Sequence, residues 1–199
     1  GDIIESGVLT GGNATIGAGL WSLPWSFIDL PAPSGDTRAI GISSSGHAAG
    51  YLNLNNDHGL FWNERNQVSG PLPIPSTLYD VNTSGEAVGK DGIEPKRWSQ
   101  RLGVQDLAYN ALVNDAFEID SRGFVVGAEG NLGTDANLSD LTGARSSLGT
   151  LNNGSHFSAA RAINHRRQVV GNHSSGAGVV AFLWEQDTMI DLNLLMPPG

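Results

Sequence analysis

Acidic residues recur at one position of a repeated ten-residue segment, and this spacing could bring carboxylates together. Asp2, Asp80 and Glu118 each begin a copy of the segment, whereas Gly41 and Ala162 begin the other two. If the copies surround a central channel, the carboxylates meet there, and their crowding suits cation binding or proton transfer. Two such groups, one as proton donor and one as nucleophile or base, are what a glycoside hydrolase requires. The alternative is that these acids only hydrogen-bond strand ends.

A second group of residues could bind sugars. Sugar rings have apolar faces that stack on flat aromatic side chains, while neighbouring amides and carboxylates bind the hydroxyl groups. Three tyrosines and one tryptophan lie outside the periodic aromatic positions of the repeat, and one of them opens a segment rich in Asn and Asp. The sequence therefore predicts a carbohydrate-binding surface, with these candidates: Trp25, Tyr51, Asn53, Asn55, Asp57, Tyr79 and Tyr109.

Alternating oxygen-bearing side chains in two loops raise the possibility of calcium, which prefers hard oxygen ligands. One loop runs from Tyr51 to His58, and the other contains Asp135, Asn137 and Asp140. Neither loop has the central glycine and terminal glutamate of an EF-hand, so a solvated turn is the alternative. The five histidines show no close ligand spacing that would indicate a metal site: His47, His58, His156, His165 and His173.

Composition excludes several classes of function. The 199 residues carry a net charge of -9 with only 11 Lys and Arg, which argues against a nucleic-acid or anionic-membrane partner. The chain has no cysteine, so neither a disulfide scaffold nor a thiol-ligated zinc site is expected. It also lacks a GxSxG segment, a phosphate-binding P-loop and a dinucleotide glycine fingerprint. No apolar run reaches the roughly 20 residues of a membrane-spanning helix.

The elements that position these residues follow from the repeat. The ten-residue segment occurs five times, at intervals of about 40 residues, as DIIESGVLTG, GISSSGHAAG, DVNTSGEAVG, EIDSRGFVVG and AINHRRQVVG. Each copy predicts a strand, a tight turn and a second strand. A turn glycine stands at the sixth position of the earlier copies, but Arg167 replaces it in the last, which predicts a different turn geometry there.

Two further short strands follow most copies, one ending in tryptophan and one in a leucine-rich pair. Four short strands per 40 residues, without helical periodicity, are typical of a β-propeller blade. The sequence therefore predicts an all-β, single-domain, five-bladed propeller with blades at about 2–39, 40–78, 79–116, 117–160 and 161–199. The periodic tryptophans should be wedges packed between neighbouring blades: Trp21, Trp62, Trp98 and Trp184.

The last unit, with AINHRRQVVG, AFLW and MIDL, resembles the HAF-repeat family of predicted extracellular bacterial proteins, and the rest of the chain resembles it more weakly. His58 keeps the histidine of the family signature, whereas Ala181-Phe182 lacks it. The resemblance implies an exported or surface location. It transfers no catalytic residue to this chain.

These observations favour a non-catalytic extracellular binding module, with carbohydrate or another extracellular polymer as its partner and no obligatory cofactor. A carbohydrate-active enzyme, a hydrolase or lyase using Asp80, Glu118 and Asp2, is the alternative. A structural spacer within a larger secreted protein is a third possibility.

Overall fold

The architecture is that of an all-β protein, in a computed structural model that describes residues 19–22, 26–31, 35–53, 57–70, 72, 76–107, 114–129, 135–151, 157–175 and 178–195. The chain divides into two compact units. The N-terminal unit comprises residues 1–92 and 96–105, and the C-terminal unit comprises residues 93–95 and 106–199. Each unit is built from antiparallel sheets whose strands follow one another in chain order.

Three sheets lie wholly or mainly in the N-terminal unit. The first is a two-stranded sheet, and the next two have four strands each in the orders β3-β4-β5-β6 and β7-β8-β9-β10. Their strands are β1 (Gly19–Ser22), β2 (Ser26–Asp29), β3 (Asp36–Ile42), β4 (Ala48–Asn53), β5 (His58–Trp62), β6 (Val68–Ser69), β7 (Thr77–Val81), β8 (Glu86–Asp91), β9 (Glu94–Ser99) and β10 (Gly103–Asp106).

Two more four-stranded sheets lie in the C-terminal unit, β11 to β14 and β15 to β18. Their strands are β11 (Asn114–Ile119), β12 (Val125–Glu129), β13 (Asp135–Ser139), β14 (Arg145–Gly149), β15 (Phe157–Ile163), β16 (Val169–Ser175), β17 (Gly178–Glu185) and β18 (Thr188–Asp191). A short 3₁₀ helix, Leu192–Leu195, follows. The part of the chain that the structure describes contains no helix long and apolar enough to cross a membrane.

The predicted all-β class and the four-stranded repeating unit are confirmed by these sheets. The four-stranded sheets begin at residues 36, 77, 114 and 157, two to four residues before the blade boundaries predicted at 40, 79, 117 and 161. The ten-residue segment therefore spans the end of the first strand of a sheet, the hairpin turn and the start of the second strand.

The hairpin turns use a side-chain cap that the sequence analysis did not identify. At the third position of its copy, the Asn82 side-chain oxygen accepts backbone hydrogen bonds from Ser84 and Glu86, both at 3.0 Å. Asp120 and Asn164 cap their turns in the same way. Since these oxygens occupy backbone donors that have no strand partner, Asn or Asp at this position stabilises the turn.

The prediction that the Arg167 turn has a different geometry is wrong. Arg167 has a φ of 61°, and the equivalent Gly85 has a φ of 74°. In both turns the sixth residue donates its N–H to the carbonyl of the capping residue, Asn164 or Asn82, at 2.9 and 3.1 Å. An arginine in this left-handed region costs about 1–2 kcal/mol. The hydrogen bonds that the Asn164 side chain and backbone form within the turn hold it there.

A β-bulge in the first strand explains the glycine that closes each copy. The register shifts around Tyr79 in β7, and the closing Gly89 pairs with Leu78 beside it. A Cβ on Gly89 would collide with the Thr77 carbonyl oxygen. The same bulge and the same collision occur in the other three four-stranded sheets, around Ile40, Phe117 and Arg161. A glycine is therefore required opposite each bulge.

The periodic tryptophans form the cores, as predicted. Trp62 is fully buried, and its indole N–H donates to the Pro31 carbonyl at 2.6 Å. Trp98 packs against Phe61 of the preceding sheet, with ring centroids 4.6 Å apart. Trp184 lies in the core shared by the two sheets of the C-terminal unit. The wedge interpretation is confirmed for these three, and the Trp21 side chain lies outside the described residues.

Candidate functional site

A cleft opens in the N-terminal unit where the hairpin turns of its two four-stranded sheets lie side by side. Its volume is about 450 Å³. Four turns contribute to it, those joining β3 to β4, β5 to β6, β7 to β8 and β9 to β10. We call it the His47 cleft, and the side chains and backbone that define it are His47, Glu64, Gly85, Glu86, Gln100 and Arg101.

His47 is held in place from three sides. Its Nδ1 lies 2.8 Å from the Ser45 hydroxyl, and its Nε2 lies 3.1 Å from a Glu64 carboxylate oxygen. The ring stacks on Phe61 with centroids 5.5 Å apart. A Cβ on Gly85 of the next sheet would come within 3.2 Å of Nε2. The imidazole therefore has one orientation, fixed by hydrogen bonds, stacking and a glycine that leaves room for it.

The Ser45–His47–Glu64 hydrogen-bonded chain has the residue types of a hydrolytic triad, but its hydrogen bonds have a structural role. The Ser45 hydroxyl donates to the Thr83 carbonyl at 3.1 Å and lies 3.0 Å from the Ser43 hydroxyl. Ser45 is exposed, and these contacts hold its hydroxyl between the two turns. We conclude that this serine joins two turns and orients the imidazole.

The rest of the cleft offers hydrogen-bond donors and acceptors over an apolar floor. Phe61 is buried beneath His47, and Trp98 lies beneath Phe61. Around this floor stand two carboxylates, an exposed guanidinium and several amides and hydroxyls, including Asn63, Ser84 and Ser99. Such a mixture can bind many hydroxyl groups at once, with a ring system beneath them.

The predicted carboxylates lie at the first strand of their sheets. Asp80 is half-buried in β7, beside β3: a Cβ on Gly41 would lie 2.6 Å from its Cα and 3.1 Å from its Oδ1. Neighbouring copies therefore do place their first positions together within this unit. Glu118 is half-buried in β11 of the C-terminal unit, next to the bulge at Phe117. Asp2 lies outside the described residues.

Those predicted sugar-binding residues that the structure describes do not line the His47 cleft. Tyr51 and Asn53 belong to β4, and Asp57 immediately precedes β5, so the supposed loop is mostly a hairpin. Asn53 is six residues from His47 along the chain, which in a strand is about 20 Å. Trp25, Asn55 and Tyr109 lie outside the described residues.

Tyr79 occupies the bulge position of its sheet, which holds Ile40, Phe117 and Arg161 in the other four-stranded sheets. There the Arg161 guanidinium lies 4.2 Å from the Phe117 ring centroid, and Lys90 lies 5.9 Å from that of Tyr79. Each of these two bulge aromatics therefore lies beside a cation.

The predicted calcium loop at 135–140 is wrong in its local structure. Asp135 and Asn137 lie in strand β13, and Asp140 begins the following turn, about 17 Å along the strand from Asp135. The Asp140 Oδ1 accepts hydrogen bonds from the Thr142 N–H and hydroxyl and from the Ala144 N–H. Among the described residues, no group of three or more acidic or histidine side chains could hold a metal ion.

Sequence reasoning missed the His47 cleft because its residues come from four separate turns. One signal was present: the seventh position of the segment holds Val8, His47, Glu86, Phe124 and Gln168, so its chemistry changes from copy to copy. By contrast, the tenth position, which the sheet requires to be glycine, is glycine in every copy. A surface position that varies within a repeat can carry function without affecting the fold.

No protein-family model matches the chain, and no curated protein matches its sequence. Among solved structures the chain is similar to TolB from Acinetobacter baumannii, with a TM-score of 0.56 and 15% identity. The match covers 86% of this chain and 46% of the TolB chain, so this chain spans just under half of that protein. At this identity the likeness shows the fold alone, which is β-propeller-like.

Proposed function

We propose that this chain is a non-catalytic binding module of an exported protein and that it recognises carbohydrate in the His47 cleft. The observation that carries the proposal is the cleft itself. About 450 Å³ of space lies over an aromatic floor and is ringed by groups that pair with hydroxyls. An oligosaccharide has that complementary chemistry, with apolar ring faces and many hydroxyls.

The positioning of His47 supports binding in preference to catalysis. The Ser45 hydroxyl and the Glu64 carboxylate fix the His47 imidazole in one orientation. The same hydroxyl donates to the Thr83 backbone carbonyl. A rigid lining lowers the entropy lost on binding. The bound sugar would contact Gln100 and Arg101, whose exposed side chains stand at the rim.

The exported location rests on the resemblance to HAF-repeat proteins, and the five-bladed closed propeller rests on the five copies of the segment. The pair β1–β2 supports a fifth unit, since it precedes the four complete sheets and carries Trp21 at the periodic tryptophan position. An experimental structure with another number of blades would overturn the five-bladed proposal.

The test is a glycan array followed by calorimetric titration of the best ligand, with calcium and with a chelator. We expect Gln100→Ala combined with Arg101→Ala to weaken binding at least about tenfold, because each change deletes hydrogen bonds to the sugar. Arg38→Ala is the matched control, since Arg38 is exposed in β3 of the same unit and does not line the cleft.

Two results would reject the proposal. One is an array without any ligand, which would favour a structural spacer. The other is cleavage of a soluble polysaccharide that Asp80→Asn abolishes while the fold is retained, which would establish the enzyme alternative.

A further inference from the structure

A second cleft lies in the C-terminal unit, between the turn ends of its two sheets. Its volume is about 240 Å³, and the residues that matter to its chemistry are Phe124, Asp140, Arg145, Ser146 and Arg167. From its geometry we infer that this Arg167 cleft binds an oxyanion, such as the carboxylate or sulfate group of an acidic sugar. The inference concerns a different unit from the His47 cleft and stands whether or not that cleft binds carbohydrate.

The first observation is the residue at the sixth position of the turn. Four copies of the segment have glycine there, Gly7, Gly46, Gly85 and Gly123, and only the last has Arg167. Arg167 adopts the left-handed conformation, with a φ of 61°, that favours glycine. This copy alone therefore holds a long cationic side chain at the sixth position, at a backbone cost that glycine avoids.

The second observation is the contact that the Arg167 side chain makes. The Arg167 guanidinium lies 4.8 Å from the Phe124 ring centroid, on the neighbouring sheet. The ring covers part of the guanidinium surface and leaves its N–H groups to form hydrogen bonds elsewhere. Phe124 also contacts Arg122 at 5.2 Å, but Asp120 binds that guanidinium through two hydrogen bonds.

The third observation is the charge of the cleft. Arg145 and Arg167 both line it, in a protein that has 11 Lys and Arg and a net charge of -9. Among the lining residues that the structure describes, one is a carboxylate, that of Asp140, whose Oδ1 accepts the hydrogen bonds of its own turn. Two guanidinium groups beside one carboxylate leave a net positive site, and arginine binds planar oxyanions through paired hydrogen bonds.

The test follows the arginine side-chain N–H signals in the NMR spectrum of the ¹⁵N-labelled full chain. The probes are sodium D-glucuronate and sodium sulfate at constant ionic strength, with sodium chloride and neutral glucose as controls. We expect saturable shifts of the Arg145 and Arg167 signals with glucuronate or sulfate, and none with chloride or glucose. Tighter glucuronate binding identifies a carboxylate ligand, tighter sulfate binding identifies a sulfate ester, and binding of neither probe overturns the inference.

Arg167→Gly is the decisive variant, because it restores the glycine of the other copies and removes the guanidinium without straining the turn. We expect its affinity for the preferred probe to fall at least about tenfold, the effect of losing a charge-assisted pair of hydrogen bonds. Arg166→Ala, which removes the adjacent exposed arginine outside the cleft, should leave affinity unchanged. Unchanged affinity in Arg167→Gly, or an equal loss in Arg166→Ala, would show diffuse surface charge instead of a site.

Discussion

The His47 cleft and the Arg167 cleft occupy the same place in two copies of one scaffold. In each, the seventh residue of one segment meets the sixth residue of the next: His47 meets Gly85, and Phe124 meets Arg167. Glycine leaves room for an imidazole paired with Glu64, whereas arginine fills that room and stacks on phenylalanine. The residues at these two positions therefore differ between the clefts, one mixed polar and one cationic, although the sheets and turns around them are alike.

The largest effect should come from removing the core tryptophan of either unit. Trp98→Ala deletes a nearly buried indole beneath Phe61, and we expect it to lower the free energy of unfolding by about 3–5 kcal/mol because a large cavity remains. Trp184→Ala should cost about as much in the C-terminal unit. Urea denaturation measures both, and a cost below about 1 kcal/mol for either would show that this tryptophan does not support the core of its unit.

The tryptophan cores could be predicted from the sequence, but the clefts could not. Trp62 and Trp98 recur at one spacing, and periodic apolar residues are buried in any repeat that stacks on its neighbour. The contact of His47 with Gly85 depends on which turns lie side by side, which no local pattern encodes. The calcium loop predicted at 135–140 is wrong for a related reason, since alternating polar and apolar residues fit a strand as well as a ligand loop.

Exchanging the sixth residue tests the comparison directly. Gly85→Arg should lower stability by about 2–3 kcal/mol, the left-handed backbone cost of about 1–2 kcal/mol plus the displacement of His47. It should also abolish carbohydrate binding, because the new side chain enters the cleft. Urea denaturation and calorimetric titration measure the two effects.

Gly92→Arg is the matched control for that exchange. Gly92 has a φ of 56°, and a Cβ there would meet nothing within 4 Å, so only the backbone cost applies. We expect this control to lose about 1–2 kcal/mol and to keep full binding. Equal losses in Gly85→Arg and Gly92→Arg would mean that the space beside His47 is not what requires glycine.

The side-chain caps of the hairpin turns should contribute less to stability than Gly85→Arg removes, and their contributions should differ between the sheets. Asp120 is buried, accepts two backbone N–H groups and binds Arg122, so Asp120→Ala should cost about 2 kcal/mol. Asn164 is exposed and accepts two backbone N–H groups, so Asn164→Ala should cost about 1 kcal/mol. Thermal melts of both variants measure the difference, and a larger loss for Asn164→Ala would contradict the role of burial.

The smallest effect should come from the ion pair that distinguishes the His47 cleft. Glu64 is 50% exposed, and its carboxylate lies 3.1 Å from the His47 Nε2. The contact is an ion pair only when the imidazole is protonated, so the measurement is made at a pH that protonates histidine. Since water and salt screen such a pair, Glu64→Gln should lower stability there by about 0.2–1 kcal/mol. The difference from the unmodified protein should shrink further in 1 M salt, where the screening length is about 3 Å. Urea denaturation at low and high salt measures both numbers.

Stacking on Phe61 and the Ser45 hydrogen bond still hold the imidazole in the variant, so carbohydrate binding should fall less than in the Gln100 and Arg101 double variant. A loss above 2 kcal/mol that persists at high salt would mean that Glu64, and not the stacking, determines the position of His47.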